Sequence, residues 1–263
     1  MKYILVTGAA GGMGKATAQV LRDAGYTVFA LDKVPCNPEN GIIPIEADIT
    51  DGHSLDVAFS QIRATTDSLY AIVHLAGVYA LDSLVEIDEE AFQRVFDINV
   101  FGTYRINKVF LPLLKPGARI VITTSELAPL DPLPFTGLYA ITKSSLDKYA
   151  YALRMEVQLL GIRVSVLRPG AVKTEMLGVS TDALERFCST TEHYSCNAER
   201  FRQIVERVEA RNVSPTAIAK KIRKILGSMH PRYVYCINRN SLLLLLNILP
   251  RRLQTWIIRK ILH

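Results

Sequence analysis

The stretch that decides the fold is Thr7-Gly8-Ala9-Ala10-Gly11-Gly12-Met13-Gly14, which directly follows Lys2 and the apolar run Tyr3-Ile4-Leu5-Val6. The run has the residue types of a buried strand, and residues 12–24 have helical periodicity. Glycines between a strand and a helix let backbone N–H groups approach a pyrophosphate, which the positive end of the helix also attracts. We therefore expect a strand–turn–helix unit that binds a dinucleotide through Gly8, Gly12, Met13 and Gly14.

The residue that ends the next predicted strand, Asp32, bears on the choice of dinucleotide. It lies 18 residues beyond Gly14. A carboxylate at this place can accept hydrogen bonds from the ribose hydroxyls of adenosine and repels a 2′-phosphate. Lys33 follows it and weakens this preference, because a flexible cation could tolerate a phosphate. NAD is the expected cofactor.

Short strand-like runs alternate with longer helical segments along the rest of the chain. Because parallel strands need crossover connections, this alternation predicts a mostly parallel sheet covered by helices on both faces. The expected fold is α/β, a single Rossmann-type doubly wound domain over residues 1–263 with about seven strands. The predicted strands are residues 2–6, 26–32, 41–47, 69–75, 119–124, 163–167 and 232–237. The predicted helices are residues 12–24, 54–66, 88–114, 137–160 and 215–226.

Two segments break the alternation. Residues 171–213 leave the carboxyl end of a strand, where open parallel sheets bind ligands, and are predicted to form a substrate lid. In the tail, residues 241–263, one helical face carries Leu253, Trp256, Ile257 and Ile261, beside Arg251, Arg252, Arg259 and Lys260. Such a basic amphipathic helix could lie on a membrane interface. Packing over the substrate cleft or a partner subunit is the favoured interpretation.

Charge and cysteine content narrow the class of protein. The net charge is +6, yet residues 1–199 sum to −6 (17 basic, 23 acidic) and residues 200–263 to +12 (14 basic, 2 acidic). The basic end suits an acidic substrate or an anionic membrane surface, and no motif that reads nucleic acid accompanies it. Four scattered cysteines favour reduced thiols in a cytoplasmic protein. No apolar run approaches the ~18 residues that span a bilayer.

A second group of residues is suited to acid–base chemistry. Tyr139 and Lys143 lie at positions i and i+4 of a predicted helix, so they share one face. A phenol titrates near ~10, but a nearby ammonium, together with an oxidised nicotinamide, is expected to lower that pKa. The pair could then act as general acid and base on an alcohol or a carbonyl. Ser125 precedes Tyr139 by 14 residues, and Asn99 lies in the preceding predicted helix.

Together these motifs resemble the short-chain dehydrogenase/reductase family in its compact form, over about residues 2–240. Further matching motifs are Asp48-Ile49-Thr50, Ala76-Gly77, Asn99-Val100 and Pro169-Gly170-Ala171-Val172-Lys173-Thr174. The resemblance implies a catalytic tetrad of Asn99, Ser125, Tyr139 and Lys143. Within it, Asn99 is expected to hold a water near Lys143. Asn99, Tyr139 and Lys143 are also expected to contact the cofactor. It also implies adenosine contacts at Asp48, Ile49, Ala76 and Gly77, and contacts at the nicotinamide end from Pro169, Val172 and Thr174.

The chain departs from the family's pattern at His74-Leu75-Ala76-Gly77, where relatives often have two asparagines ahead of Ala-Gly. We expect His74 to be a buried structural residue with a compensating contact.

The glycine spacing also suits the longer sugar-nucleotide epimerases, but those need a larger substrate domain than 263 residues allow. By resemblance, a homodimer or homotetramer is expected, paired through helices 88–114 and 137–160.

Several other residues near the motifs are open to a structural interpretation. Glu126 is expected to face solvent or cap a helix rather than act as a second catalytic carboxylate. Cys188, His193 and Cys196 fit no common structural zinc pattern, so no metal is expected. Seven apolar residues could line a substrate pocket or belong to the core: Leu127, Leu130, Leu133, Phe135, Leu177, Val179 and Phe187.

The leading hypothesis is an NAD(H)-dependent oxidoreductase for the alcohol or ketone of a bulky, lipophilic and acidic substrate, such as a hydroxysteroid or bile acid. Retinoid, fatty-acyl and polyketide alcohols stay open. One alternative is a keto-acyl thioester reductase, which usually prefers NADPH and so matches Asp32 poorly. Others are a dinucleotide-binding regulatory protein without turnover, and a peripheral membrane protein whose tail is the functional element.

Overall fold

The computed structural model describes the backbone of residues 1–263 and all side chains except those of residues 175–182 and 208–209. Its centre is a seven-stranded sheet in the order β3-β2-β1-β4-β5-β6-β7, and each neighbouring pair is parallel. The predicted doubly wound sheet is confirmed. The strands are β1 (Tyr3–Thr7), β2 (Thr27–Asp32), β3 (Ile42–Glu46), β4 (Leu69–His74), β5 (Leu114–Thr123), β6 (Arg163–Pro169) and β7 (Val234–Ile237).

Helices cover both faces of the sheet. They are α1 (Gly12–Asp23), α2 (Gly52–Thr65), α3 (Glu89–Phe96), α4 (Gly102–Phe110), α5 (Gly137–Val157), α6 (Glu175–Thr190), α7 (Ser195–Glu209), α8 (Pro215–Gly227), α9 (Ser241–Ile248) and α10 (Arg251–Leu262). Because side chains alternate along a strand, Leu5 of β1 packs in the cluster under α2, α4 and α5. Its neighbours Ile4 and Val6 pack under α1 and α8.

Two predicted elements differ from those observed. The helix expected over residues 88–114 is divided by a π-helical turn at Asp97–Phe101, which separates α3 from α4. The fifth strand begins at Leu114 rather than at residue 119, because Leu114 pairs with Leu69. Its register shifts before Arg119, and Gly117 has a φ of 91°. A positive φ and a proline at residue 116 interrupt the regular pattern that a strand prediction needs.

The segment predicted as a lid, residues 171–213, contains the helices α6 and α7. Both pack around Phe135, whose ring centroid lies 4.5 Å from that of Phe187 and 5.0 Å from that of Phe201. Leu262 of α10 joins this buried cluster. Phe135 and Phe187 therefore belong to the buried core of this segment and do not line the predicted pocket. Leu177 and Val179 lie outside the described side chains.

Candidate active site

The glycine-rich turn lies against the end of β4, and two of its glycines are required there. Gly8 has a φ of +68°, and a Cβ on it would lie 2.6 Å from the backbone nitrogen of Ala76. A Cβ on Gly14 would lie 1.9 Å from the carbonyl oxygen of Gly8. At Gly11, which precedes α1, no side chain caps the helix. The first N–H groups of α1 therefore remain available to an anion, as a bound pyrophosphate requires.

This turn borders a cavity of about 990 Å³ along the carboxyl edge of the sheet. Ligand pockets span about 300–1,000 Å³, so the cavity is large enough for an extended cofactor. It lies where β1 is flanked by β2 and β4, the position at which doubly wound sheets bind dinucleotides. Ten residues predicted to bind the cofactor line it: Gly8, Gly12, Met13, Gly14, Asp32, Asp48, Ile49, Ala76, Gly77 and Thr174.

Two carboxylates of this cavity are held by backbone N–H groups. Asp32 accepts hydrogen bonds from the backbone nitrogens of Ala10 at 3.0 Å and Val34 at 3.1 Å. Asp48 accepts from the backbone nitrogen of Thr50 at 2.8 Å, and this contact is the main cause that lowers the pKa of Asp48. A carboxylate has about four acceptor sites, so Asp32 keeps capacity for the hydroxyls of a ligand.

The π-helical turn positions the fully buried amide of Asn99. Its Oδ1 accepts a hydrogen bond from the backbone nitrogen of Val78 at 2.8 Å. Its Nδ2 donates to the carbonyl of Val78 at 3.0 Å and to the hydroxyl of Thr142 at 3.2 Å. A Cβ on Gly77 would lie 3.1 Å from Asn99 Oδ1 and 3.3 Å from Lys143 Nζ. Asn99 thus connects the loop after β4 to α5 and lies near Lys143.

Ser125, Tyr139 and Lys143 meet beside the large cavity. Ser125 follows β5, and its side chain is hydrogen-bonded to that of Tyr139. Lys143 Nζ lies 5.5 Å from the centroid of the Tyr139 ring. All three line a second cavity of about 160 Å³. The other predicted residues on this cavity are Leu127, Pro169 and Val172, and it shares Met13, Gly77 and Thr174 with the first.

The pKa values of this group differ from our expectation. Burial raises the pKa of Tyr139 to about 12, which the hydrogen bond with Ser125 lowers only in part. Burial also lowers the pKa of Lys143 to about 8. We expected Lys143 to lower the pKa of the phenol, but without the cofactor it does not. The amine lies over the face of the ring, and burial disfavours the charged forms of both groups. At pH 7 the phenol therefore holds its proton.

His74 has the compensating contact expected of a structural histidine. The ring is 3% exposed, and its Nε2 lies 3.0 Å from Asn107 Oδ1. Asn107 in turn donates to the hydroxyl of Tyr149 at 3.1 Å. Burial lowers the pKa of His74 to about 4. The neutral ring therefore donates from Nε2 and links β4 to α4, and through Asn107 to α5.

Glu126 connects the site to the tail of the chain. Its Oε2 accepts a hydrogen bond from the backbone nitrogen of Asn240 at 2.6 Å, and burial raises its pKa. Asn240 is the residue before α9, and Leu243 of α9 lines the smaller cavity. No local sequence pattern points to Leu243, because the approach of α9 to the site depends on these long-range contacts.

Cys188 and Cys196 do not assemble a metal centre within the described side chains, where no group of three potential ligands could hold an ion. Cys188 is within hydrogen-bond distance of the carbonyl of Ala198, and Cys196 is exposed. All four cysteines carry free thiols. Among the described residues, no helix has the length and apolar content needed to cross a membrane.

Comparison with known proteins agrees with this geometry. The sequence profile of the short chain dehydrogenase family matches residues 2–185. A 3-ketodihydrosphingosine reductase of Bacteroides thetaiotaomicron is 26% identical over 233 residues, which cover 88% of this chain and 86% of that protein. Estradiol 17-beta-dehydrogenase 2 of Mus musculus is 27% identical over 264 residues, which cover 92% of this chain and 69% of that protein.

Among solved structures, a 3-ketoacyl-(acyl-carrier-protein) reductase from Brucella melitensis, complexed with NADH, superposes with a TM-score of 0.73. It is 20% identical and covers 90% of this chain and 96% of its own. The family match includes the glycine-rich turn and the segment from Ser125 to Lys143. The chain therefore belongs to the short-chain dehydrogenase family and is an oxidoreductase that acts on alcohol or ketone groups with a nicotinamide cofactor.

Proposed function

We propose that this chain is an NAD(H)-dependent oxidoreductase that interconverts a secondary alcohol and a ketone on a bulky lipophilic substrate such as a hydroxysteroid. The observation that supports it most strongly is the contact between Ser125 and Tyr139 beside buried Lys143. This group adjoins the cavity that the glycine-rich turn borders. When bound, the cofactor supplies hydride transfer, and the protein supplies position and proton movement.

Each member of the tetrad has a distinct role. Ser125 donates a hydrogen bond to the substrate oxygen and stabilises negative charge on it. In reduction, Tyr139 gives its proton to that oxygen, and in oxidation the phenolate takes it back. Lys143 supplies a positive charge beside Tyr139 that, together with a bound oxidised nicotinamide, would favour the phenolate. Asn99 holds the loop after β4 and α5 in place, and a water between Asn99 and Lys143 would return the proton.

The protonation state of Tyr139 favours reduction in the free protein. Its pKa of about 12 keeps the phenol protonated at neutral pH, so it is a ready proton donor. Oxidation needs the phenolate, which only a further positive charge near Tyr139 would populate. Tyr139 would gain this charge from a bound oxidised nicotinamide, so the two directions would require different cofactor states.

The choice of NAD rests on Asp32. Its carboxylate is fixed at the end of β2 by two backbone N–H groups, so it cannot easily move away from a 2′-phosphate. Lys33 also lines the cofactor cavity. This lysine supports the second candidate function, an NADPH-dependent keto-acyl thioester reductase.

The substrate class rests on the smaller cavity and on the relatives. Leu127, Val172 and Leu243 give that cavity apolar walls, which suit the reacting end of a lipophilic molecule. Two relatives are named for lipid substrates, a ketosphingosine and a steroid. The excess of basic residues after residue 200 favours an acidic group on the substrate.

A substrate panel tests this function. Hydroxysteroids, their ketones, retinol and keto-acyl thioesters would each be assayed with NAD(H) and NADP(H) by the absorbance of the reduced nicotinamide. We expect turnover of a steroid alcohol or ketone with NAD(H). Strong preference for NADPH would contradict the role of Asp32, and activity confined to acyl thioesters would establish the second candidate.

We also propose that two copies pair through α4 and α5. Four large side chains on or next to these helices are 43–53% exposed: Phe101 in the π-helical turn, Tyr104, Tyr151 and Met155. A dimer that buries them would protect this surface from water. Light scattering on the purified protein tests the proposal, and a monomer at micromolar concentration would contradict it.

A further inference from the structure

The last two helices present an apolar surface to solvent. Six large apolar side chains of α9 and α10 are exposed, from 41% for Leu253 to 80% for Ile248: Leu242, Leu245, Ile248, Leu253, Trp256 and Ile261. Three of them, Leu253, Trp256 and Ile261, belong to the helical face that sequence analysis expected to pack on the cleft or on a partner subunit. The fourth residue of that face, Ile257, is half-buried, so the face meets solvent mainly at Leu253, Trp256 and Ile261.

The opposite side of α10 attaches it to the body. Leu262 is buried among the aromatic side chains of the predicted lid segment, and Asn197 of α7 donates a hydrogen bond to its carbonyl at 2.8 Å. Buried Gln254 donates to the carbonyl of Leu249 at 2.8 Å, which joins α10 to the end of α9. At 100° per residue, Gln254 and Leu262 lie within about 80° of each other and about 120–160° from Trp256, whereas Ile261 borders the attached side. The orientation of the apolar face is therefore fixed by packing.

Cations accompany this surface. Residues 241–263 contain four basic residues and no acidic one, and the side chains of Arg252, Arg259 and Lys260 are exposed. Arg252 and Arg259 lie along one edge of the apolar face at helical spacing, and Lys260 lies within it. An apolar face with cations at its edge matches the boundary between the acyl chains and anionic headgroups of a bilayer. A symmetric dimer formed through this same face would bring these cations close to those of the second copy.

We infer that α9 and α10 form a docking surface for an anionic membrane. Leu253, Trp256 and Ile261 enter the interfacial region, the exposed residues of α9 enter beside them, and the basic residues contact lipid headgroups. This contact is peripheral, since the two helices have only 8 and 12 residues. Leu243 of α9 lines the smaller cavity, so the docked surface adjoins the active site. The inference goes beyond the proposed function, and its test needs no turnover.

The chain contains a single tryptophan, and it lies at the centre of this surface. Trp256 is 57% exposed, so its fluorescence reports docking directly. The full-length protein would be titrated with vesicles of phosphatidylcholine alone and with vesicles that contain phosphatidylserine. We expect the emission to move to shorter wavelength, and the protein to float with the vesicles, only when phosphatidylserine is present. High salt should reverse much of the binding.

Three variants separate the apolar from the electrostatic contribution to vesicle binding. Leu253→Gln with Ile261→Gln retains the fluorescent reporter and removes apolar contact, and we expect its vesicle affinity to fall by more than about tenfold. Replacement of Arg252, Arg259 and Lys260 by Gln should also lower affinity for anionic vesicles by at least about tenfold. The control is Leu159→Gln. Leu159 is 84% exposed and lies just before β6, at the amino ends of the strands, whereas α9 adjoins the site at their carboxyl ends. This variant should bind like the unmodified protein.

Several results would overturn the inference. One is an emission maximum that anionic vesicles do not move at high lipid concentration. Others are equal binding to both kinds of vesicle, or full binding by the Leu253 and Ile261 variant. A shift that depends on protein concentration without lipid would assign the surface to self-association instead.

Discussion

Replacing Lys143 by Met tests how far the buried amine destabilises the free protein. Lys143 is 5% exposed, and burial lowers its pKa from 10.5 to about 8. One pKa unit corresponds to about 1.4 kcal/mol, so the ammonium costs roughly 3 kcal/mol of folding free energy at neutral pH. Met removes this cost and loses the contact with the Tyr139 ring, which is worth about 0.5–2 kcal/mol. We expect Lys143→Met to be more stable by about 1–3 kcal/mol at neutral pH and to have almost no turnover.

The sign of the pH dependence follows from the lowered pKa. Below about pH 8 the folded and the unfolded chain both carry the proton, and the full penalty applies. Above that pH the folded chain loses the proton first, while the unfolded chain keeps it up to about pH 10.5. The unfolded state then binds more protons, so the stability of the unmodified protein rises with pH. The difference in unfolding free energy between the unmodified protein and Lys143→Met should therefore be smaller at about pH 9.5 than at neutral pH. At that pH, Tyr139 does not yet titrate in the unfolded chain.

Urea unfolding of the cofactor-free protein, followed by circular dichroism at several pH values, measures this difference. Lys148→Met is the matched control, because Lys148 is exposed on the same helix, and it should change stability little at any pH. If Lys143→Met keeps its fold but is less stable than the unmodified protein at neutral pH, the proposed cost of burying the amine is refuted.

Three further predictions concern the glycine-rich turn, the choice of cofactor and the buried histidine of β4. Gly8→Ala should abolish dinucleotide binding in calorimetry and lower stability by at least about 2 kcal/mol, because the φ of Gly8 is positive and a Cβ there would overlap Ala76. A dinucleotide affinity within a factor of about three of normal would contradict the proposed role of the glycine-rich turn. Asp32→Ala should raise the ratio of kcat/KM for NADPH to that for NADH by at least about tenfold, and an unchanged ratio would remove Asp32 from cofactor selection. His74→Ala leaves buried Asn107 Oδ1 without its partner and should lower the urea-derived stability by about 2–3 kcal/mol at constant kcat, whereas a loss of kcat alone would indicate a role in catalysis.

The fold could be predicted because its signals are local. Alternating strand and helix patterns and the glycine turn at residues 7–14 require only neighbours in sequence. The observed strands agree with the predicted ones to within a few residues at most ends. The exception at Leu114 arises from pairing with Leu69, a contact that no local pattern encodes.

The chemistry of the site was only partly accessible from sequence. Spacing brought Tyr139 and Lys143 onto one helical face, but their pKa values depend on burial, which the whole fold determines. The π-helical turn that positions Asn99 breaks the regular helical period and has no sequence signature here. The orientation of the tail also depended on distant contacts, above all that of Glu126 with the backbone of Asn240.

The most direct test of the central claim is the kcat of Tyr139→Phe beside its affinity for NADH. The substitution removes one hydroxyl that exchanges a proton with the substrate, while the glycine-rich turn and Lys143 remain. We predict unchanged NADH binding in calorimetry and a kcat lowered by at least about a hundredfold. A variant that binds NADH normally and retains more than about a tenth of the original kcat would show that another group moves the proton.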